Sequence, residues 1–134
     1  MLGVGALIFD EQQRILLIER GQEPLKGWWS LPGGALETGE TLRGGVCREV
    51  LEETGLMVEP LELIEIFERI MHDEAGRTEY HYVLMDYICR VTGGELAAAD
   101  DCAAVRWTHR DELEGLRVTE GTLAVIEKAY RKIA

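Results

Sequence analysis

The sequence predicts an α/β domain in which helices cover a sheet. Three observations carry that prediction. Two stretches, 41–54 and 122–133, have helical periodicity. Several apolar, β-branched runs lie before, between and after them. The chain has 134 residues, 46% hydrophobic and 29% charged, which suits one domain spanning residues 1–134. No internal repeat, low-complexity tract or linker interrupts it.

Residues 1–9 are apolar, Asp10-Glu11-Gln12-Gln13 reads as a turn, and Ile15 to Ile18 is a second apolar run. Together they predict a β-hairpin. The first strand begins without a lead-in, which predicts residues ahead of Met1. Residues 21–34 are rich in Gly, Pro and Trp and predict an irregular loop. In the helix 41–54, Leu42, Gly45 or Val46, Val50 and Leu51 mark an inner face, and Gly55 sits where a C-terminal cap belongs. In 61–70 the glutamates recur every three positions, a helical rhythm, but Ile64, Ile66, Phe67 and Ile70 favour a strand. Asp73 to Gly76 is a turn. The strongest strand is 80–91, apolar at both parities and so predicted to be buried on both faces, and Thr92-Gly93-Gly94 ends it. A short strand follows over 103–107, then a helical turn over 111–113. The helix 122–133 is amphipathic, with Leu123, Ile126, Ala129, Tyr130 and Ile133 on one side.

Lys and Arg total 14 against 25 Asp and Glu, a net charge of −11. Such a surface argues against nucleic acid and against an anionic membrane as partners. It also repels phosphorylated small molecules unless cations stand between. No apolar run approaches the roughly 20 residues that span a bilayer. No basic segment follows Met1, and Asp10, Glu11 and Arg14 lie within the first eighteen residues, so no signal peptide is expected. The cysteines, Cys47, Cys89 and Cys102, are odd in number and form no C-x-x-C pair. That argues against a disulfide framework or a thiolate zinc site, and a reducing cytoplasm is the expected compartment.

Clustering of the acidic residues is the informative feature. Glu49, Glu52 and Glu53 stand at i, i+3 and i+4 of the first helix, on one face. At ~6 Å and an effective dielectric near 20, each like-charged pair costs on the order of 3 kcal/mol before screening. Arg48 is the one cation inside the cluster. Water could solvate such a face, and acidic triplets on surface helices are common. Oxygen-preferring divalent ions suit it equally. What favours the ion is the preceding Leu31-Pro32-Gly33-Gly34, because glycine lets the backbone come close to a ligand. A carbonyl from that turn could complete an ion's shell. Glu40, near the helix start, could accept backbone amides there.

The stretch Gly34 to Leu56 resembles the Nudix box, G-x5-E-x7-R-E-U-x-E-E-x-G-U with U aliphatic. Gly34, Glu40, Arg48, Glu49, Val50, Glu52, Glu53, Gly55 and Leu56 fill every specified position. Seven fixed identities at roughly 7% usage each make a chance match on the order of 10⁻⁸ per window. The lead-in Gly27-Trp28-Trp29-Ser30-Leu31-Pro32 and the later Trp107 and Glu112-Leu113 are also similar to the family. One difference is Gly44-Gly45, where the family often has Ala; each Gly lowers helix propensity by about 1 kcal/mol. The resemblance implies a Nudix-type α/β/α sandwich with a mixed central sheet. It implies hydrolysis of a nucleoside diphosphate linked to another moiety, with Mg²⁺ or Mn²⁺. Glu49, Glu52 and Glu53 would bind the metal, with the Gly33 carbonyl as a further ligand. Arg48 would hold the glutamates by ion pairing, and Glu40 would support the loop or join the shell. Relatives often dimerise, so a homodimer is an expected assembly.

Glu52 is one candidate general base; some relatives use an acid on a later loop, which here means Glu95, Asp100 or Asp101, though these also suit solvated loop positions. Trp28, Arg69, His81 and Asp101 are candidate substrate contacts, and Trp29 is expected in the core. Arg69 and Arg77 could meet phosphate, but both also suit surface sites. Phe67 to Ile70, Tyr80 to Val83 and Gly93-Gly94-Glu95 are most similar to small bacterial proteins classed as ADP-ribose pyrophosphatases. The alternatives are a MutT-type nucleoside triphosphate pyrophosphatase and a non-catalytic nucleotide sensor. The complete acidic triplet argues against the sensor. A plain calcium-binding domain lacks the spaced loop ligands it would need.

Overall fold

Ten elements follow in order in a computed structural model that describes residues 1–133. They are β1 (Leu2–Ile8), β2 (Ile15–Arg20), β3 (Trp29–Ser30), β4 (Gly33–Ala35), α1 (Leu42–Thr54), β5 (Leu56–His72), β6 (Thr78–Gly94), β7 (Cys102–Thr108), a 3₁₀ turn (Arg110–Gly115) and α2 (Thr122–Ile133). A four-stranded sheet runs β4-β1-β6-β5 and a three-stranded sheet runs β3-β2-β7. β1 and β6 are parallel; the other pairs are antiparallel. The architecture is thus mixed, with a helix packed on each side of the strands.

The expected β1–β2 hairpin does not form. Asp10 and Gln13 do close a tight turn, and Phe9 bridges Ile15. Beyond that bridge the strands diverge into different sheets, because β1 pairs with β4 and β6 while β2 pairs with β3 and β7. The segment expected to be an irregular loop contains β3 and β4, too short to show an alternating pattern.

β1 and β6 each serve two layers, because successive side chains point to opposite faces. Val4, Ala6 and Ile8 join Met85, Tyr87 and Cys89 in a core with Val46 and Val50 of α1. Leu7 and Ile88 face the other way, into a core with Val125, Ile126, Ala129 and Tyr130 of α2. Two inner-face assignments change. Leu51 is 50% exposed and Leu123 42%, while Val125 is buried in Leu123's place. Burial on β6 is complete only over Met85 to Cys89, since its first half lies beside a cavity. Trp29 is half-buried against the α2 core.

The 61–70 segment is strand, as its isoleucines predict, within a 17-residue β5. Its register against β6 shifts between Leu63 and Glu65, so that Leu63 opposes Tyr87 and Glu65 opposes Asp86. A bulge re-aims the residues beyond it. Phe67, opposite Leu84, and Arg69, opposite Tyr82, therefore share the face that carries Asp86.

Candidate active site

Local sequence fixes both ends of α1. Thr41 caps its start, its hydroxyl accepting from the Gly44 amide at 3.0 Å. Gly55 closes it at φ 76°, the left-handed conformation glycine adopts without strain. Gly45 is buried where α1 crosses Leu36 and Glu40; a Cβ there would lie 2.7 Å from Leu36 Cδ1 and 3.1 Å from Glu40 Oε1.

Arg48 is the hub of the acidic cluster. Its Nε donates to Glu40 Oε2 at 2.6 Å and its Nη2 to Glu40 Oε1 at 2.9 Å. Nη1 donates to Glu49 Oε1 at 3.0 Å and Glu52 Oε2 at 3.2 Å, and Nη2 also reaches the Ala35 carbonyl at 3.0 Å. The Arg48 fork, aided by the Glu37 amide, holds Glu40 down to about 2. Glu40 thus ties the loop to α1.

Glu53 is buried and takes a different partner, its Oε1 accepting from the Gly33 amide at 2.7 Å. Burial, opposed by that amide and reinforced by Glu49 and Asp100, pushes Glu53 up to about 8. Glu49 is raised as well, chiefly by burial, and its carboxyl lies against Gly34, where a Cβ would come within 2.7 Å.

The four expected ligands do not converge as they stand. Among the described residues no three His, Cys, Asp or Glu side chains are close enough together to hold a metal ion. Arg48 draws Glu52 toward itself, and at Gly33 it is the amide that meets Glu53. The chemistry of the donors still fits a hard divalent cation. Three are carboxylates and the fourth is a backbone carbonyl, and the two raised acids share the negative Asp100, offset by Arg48 at Glu49 and by Arg20 at Glu53.

A cavity of about 270 Å³ opens beside the same glycine turn, lined by Gly33 and Gly34. Its floor is the sheet face built from Gly3 and Gly5, Leu84 and Asp86, and Phe67 and Arg69. Gly5 is required by close approach, since a Cβ there would collide with Asp86 Oδ1. The structure thus places Arg69 in the cavity wall. The other outlying candidates lie elsewhere. Trp28 packs under Arg117, whose guanidinium carbon is 5.4 Å from the ring centroid. His81 Nε2 meets Glu68 at 2.8 Å on an exposed surface. Asp101 is exposed and uses its backbone carbonyl to accept from Gly21. Asp100, its neighbour, is the loop acid whose charge reaches Glu49 and Glu53.

Sequence reading passed over Asp86. The signal was available: an aspartate inside Leu84-Met85-Asp86-Tyr87-Ile88 is a residue type disfavoured in strands and seldom fully buried. Burial, then the Glu65 charge, push Asp86 up from 3.8 to about 6, with Arg69 opposing. An acid that holds its proton more tightly when folded contributes most stability below its unfolded value and loses that contribution as pH rises through the folded one. Wild-type stability should therefore fall relative to Asp86→Asn between pH ~4 and ~6, by about 2–3 kcal/mol, and stay level above. Urea unfolding of both proteins from pH 4 to 8 measures this; parallel curves would exclude it.

Fold and acidic helix together define a domain that presents clustered carboxylates to a glycine turn at the mouth of a cavity. The NUDIX domain pattern matches residues 1–128, and the chain belongs to that family. It is 40% identical over 94 residues to an ADP-ribose pyrophosphatase of Methanocaldococcus jannaschii, covering 70% of this chain and 53% of that protein. It is 35% identical to a MutT-like protein of Streptomyces ambofaciens, covering 84% of this chain and 66% of the relative. The crystal structure of a MutT NUDIX hydrolase from Burkholderia pseudomallei superposes with a TM-score of 0.81 at 31% identity, over 95% of both chains. The chain thus spans about half the length of the first of these relatives and about two thirds of the second.

Proposed function

We propose that this domain hydrolyses the pyrophosphate bond of a nucleoside diphosphate linked to another moiety, with ADP-ribose or a nucleotide sugar as the substrate type. One observation carries the reading: the Glu49, Glu52 and Glu53 helix face and the 270 Å³ cavity meet at the same Gly33–Gly34 turn. A substrate seated in the cavity would extend its diphosphate past that turn toward the carboxylates. Similarity to the M. jannaschii ADP-ribose pyrophosphatase supports the substrate type.

Glu49, Glu52 and Glu53 would hold Mg²⁺ or Mn²⁺, which when bound supplies charge neutralisation for the diphosphate and an acidified water. The remaining work falls to the chain itself. Arg48 fixes Glu49 and Glu52 through Nη1 and anchors the loop through Glu40 and the Ala35 carbonyl. Glu52, the most exposed of the three with 44% of its side chain accessible, would accept a proton from the attacking water. Water adds to one phosphorus, the bond from that phosphorus to the bridging oxygen breaks, and the bridging oxygen leaves on the other phosphate.

The MutT likeness supports a second reading, in which a nucleoside triphosphate is cut to monophosphate and pyrophosphate. Chromatography of products from a panel of nucleotide diphosphate derivatives and triphosphates with Mg²⁺ separates the two. AMP and ribose 5-phosphate are expected from ADP-ribose. Pyrophosphate from triphosphates alone would favour the second reading, and no cleavage of any member would overturn both.

A further inference from the structure

Along the cavity side of β6 the residues run Tyr82, Leu84, Asp86 and Ile88. One carboxylate stands in an otherwise apolar and aromatic row. Asp86 is 6% exposed, and no group among the described residues donates a hydrogen bond to its carboxylate. A largely buried carboxylate without a protein donor is unfavourable, so its position favours a donor supplied from the cavity, by water or by a ligand. Gly5, its neighbour on β1, has no side chain to cover it.

A complementary group sits across the same floor. Arg69 spends Nη2 on the Glu120 carbonyl at 2.8 Å, and its Nε is buried with no partner. Each of the two charges is felt by the other, yet they form no ion pair. Arg69 Nε is thus a donor without a partner and Asp86 an acceptor without a protein donor, and both residues line one cavity. Phe67 and Leu84 add apolar surface to the same wall, and the Arg69 guanidinium carbon lies 5.6 Å from the Phe67 ring centroid. Arg20 lines the cavity as well, so a phosphate would find cations there, but it offers no donor to Asp86. A sugar carries hydroxyls all round and would bury several against that wall. A heteroaromatic base has apolar faces and one edge that both donates and accepts.

We propose that Asp86 and Arg69 read the polar edge of the substrate's nucleobase. The Asp86 carboxylate accepts from an exocyclic amino or ring N–H group, and Arg69 Nε donates to an adjoining ring nitrogen or carbonyl. This rests on the reading of the site as one that takes nucleotides, and it assigns a specificity role to two residues remote from the acidic helix.

The test is equilibrium binding, which does not depend on turnover. AMP and purine riboside 5′-monophosphate differ only by an exocyclic amino group, as do GMP and IMP. Calorimetry with wild type should show the amino-bearing member of at least one pair binding about tenfold or more tightly. Asp86→Ala should erase that advantage and leave ribose 5-phosphate binding within about twofold. Should the alanine variant not fold, Asp86→Asn carries the same comparison, since it loses the charge and one acceptor. Equal binding of paired nucleotides by wild type, binding of none, or an equal loss for ribose 5-phosphate would each overturn the proposal. An amino-dependent preference lost with Asp86, in a protein that cleaves nothing in the product screen, would uphold it while removing the proposed hydrolysis.

Discussion

Glu53→Gln should lower turnover by on the order of 10²–10³-fold while leaving the fold intact. The buried side chain accepts one hydrogen bond, from the Gly33 amide. A glutamine carbonyl accepts that bond equally well and occupies the same volume. The exchange removes a charge from a site where burial and the Glu49 and Asp100 charges already disfavour it. Thermal stability should therefore hold or rise. What disappears is the anionic oxygen that a hard cation needs, because an amide is a much weaker ligand for Mg²⁺ or Mn²⁺. Activity and melting temperature measured together decide the matter. Full turnover in a folded variant would remove Glu53 from the metal shell, and a wild-type rate indifferent to EDTA would remove the metal from the mechanism.

Arg48→Ala should act on both activity and stability. One guanidinium bonds Glu40, Glu49, Glu52 and the Ala35 carbonyl, a set that spans the loop and the helix. Its removal leaves Glu40 and Glu49, whose side chains are 16% and 13% accessible, without their cation. Stranding Glu49, the more deeply buried of the two, destabilises the fold, and misplacing groups that orient ligands costs about 100-fold in rate. Added Mg²⁺ should recover part of the stability, since it supplies charge to the same acids. Denaturation with and without Mg²⁺, beside kinetics, tests this; a variant as stable and active as wild type would mean that the fork merely decorates the surface. Arg48→Lys should fall between the two, because an ammonium keeps the charge but cannot span four acceptors.

Much of the site was legible because its spacing is local. The i, i+3, i+4 glutamates, the Thr41 cap and the Gly55 terminator all lie within one helix and its flanks, where periodicity is informative. The same holds for β6 and α2, whose apolar patterns are long. The divergence of β1 from β2 was not legible, because a turn of the right composition at Asp10 to Gln13 says nothing about which strands its neighbours pair with later. Leu51 and Leu123 were assigned inward because apolar type stood in for direction, and the helices rotate them outward by about one position. The cavity was out of reach for a similar reason. Its floor joins residues from β1, β5 and β6, and the bulge between Leu63 and Glu65 decides which side of β5 contributes. Asp86, an acid inside an apolar strand, was the one readable sign of it, and it was passed over.

The alternation along β6 has a consequence for how such a chain diversifies. Met85, Tyr87 and Cys89 prop the helix that bears the glutamates, while Tyr82, Leu84 and Asp86 look into the cavity. Neighbouring codons thus govern separate properties. An exchange at position 82, 84 or 86 reshapes the cavity lining, and with it whatever the cavity admits, while the packing behind the acidic helix stays untouched.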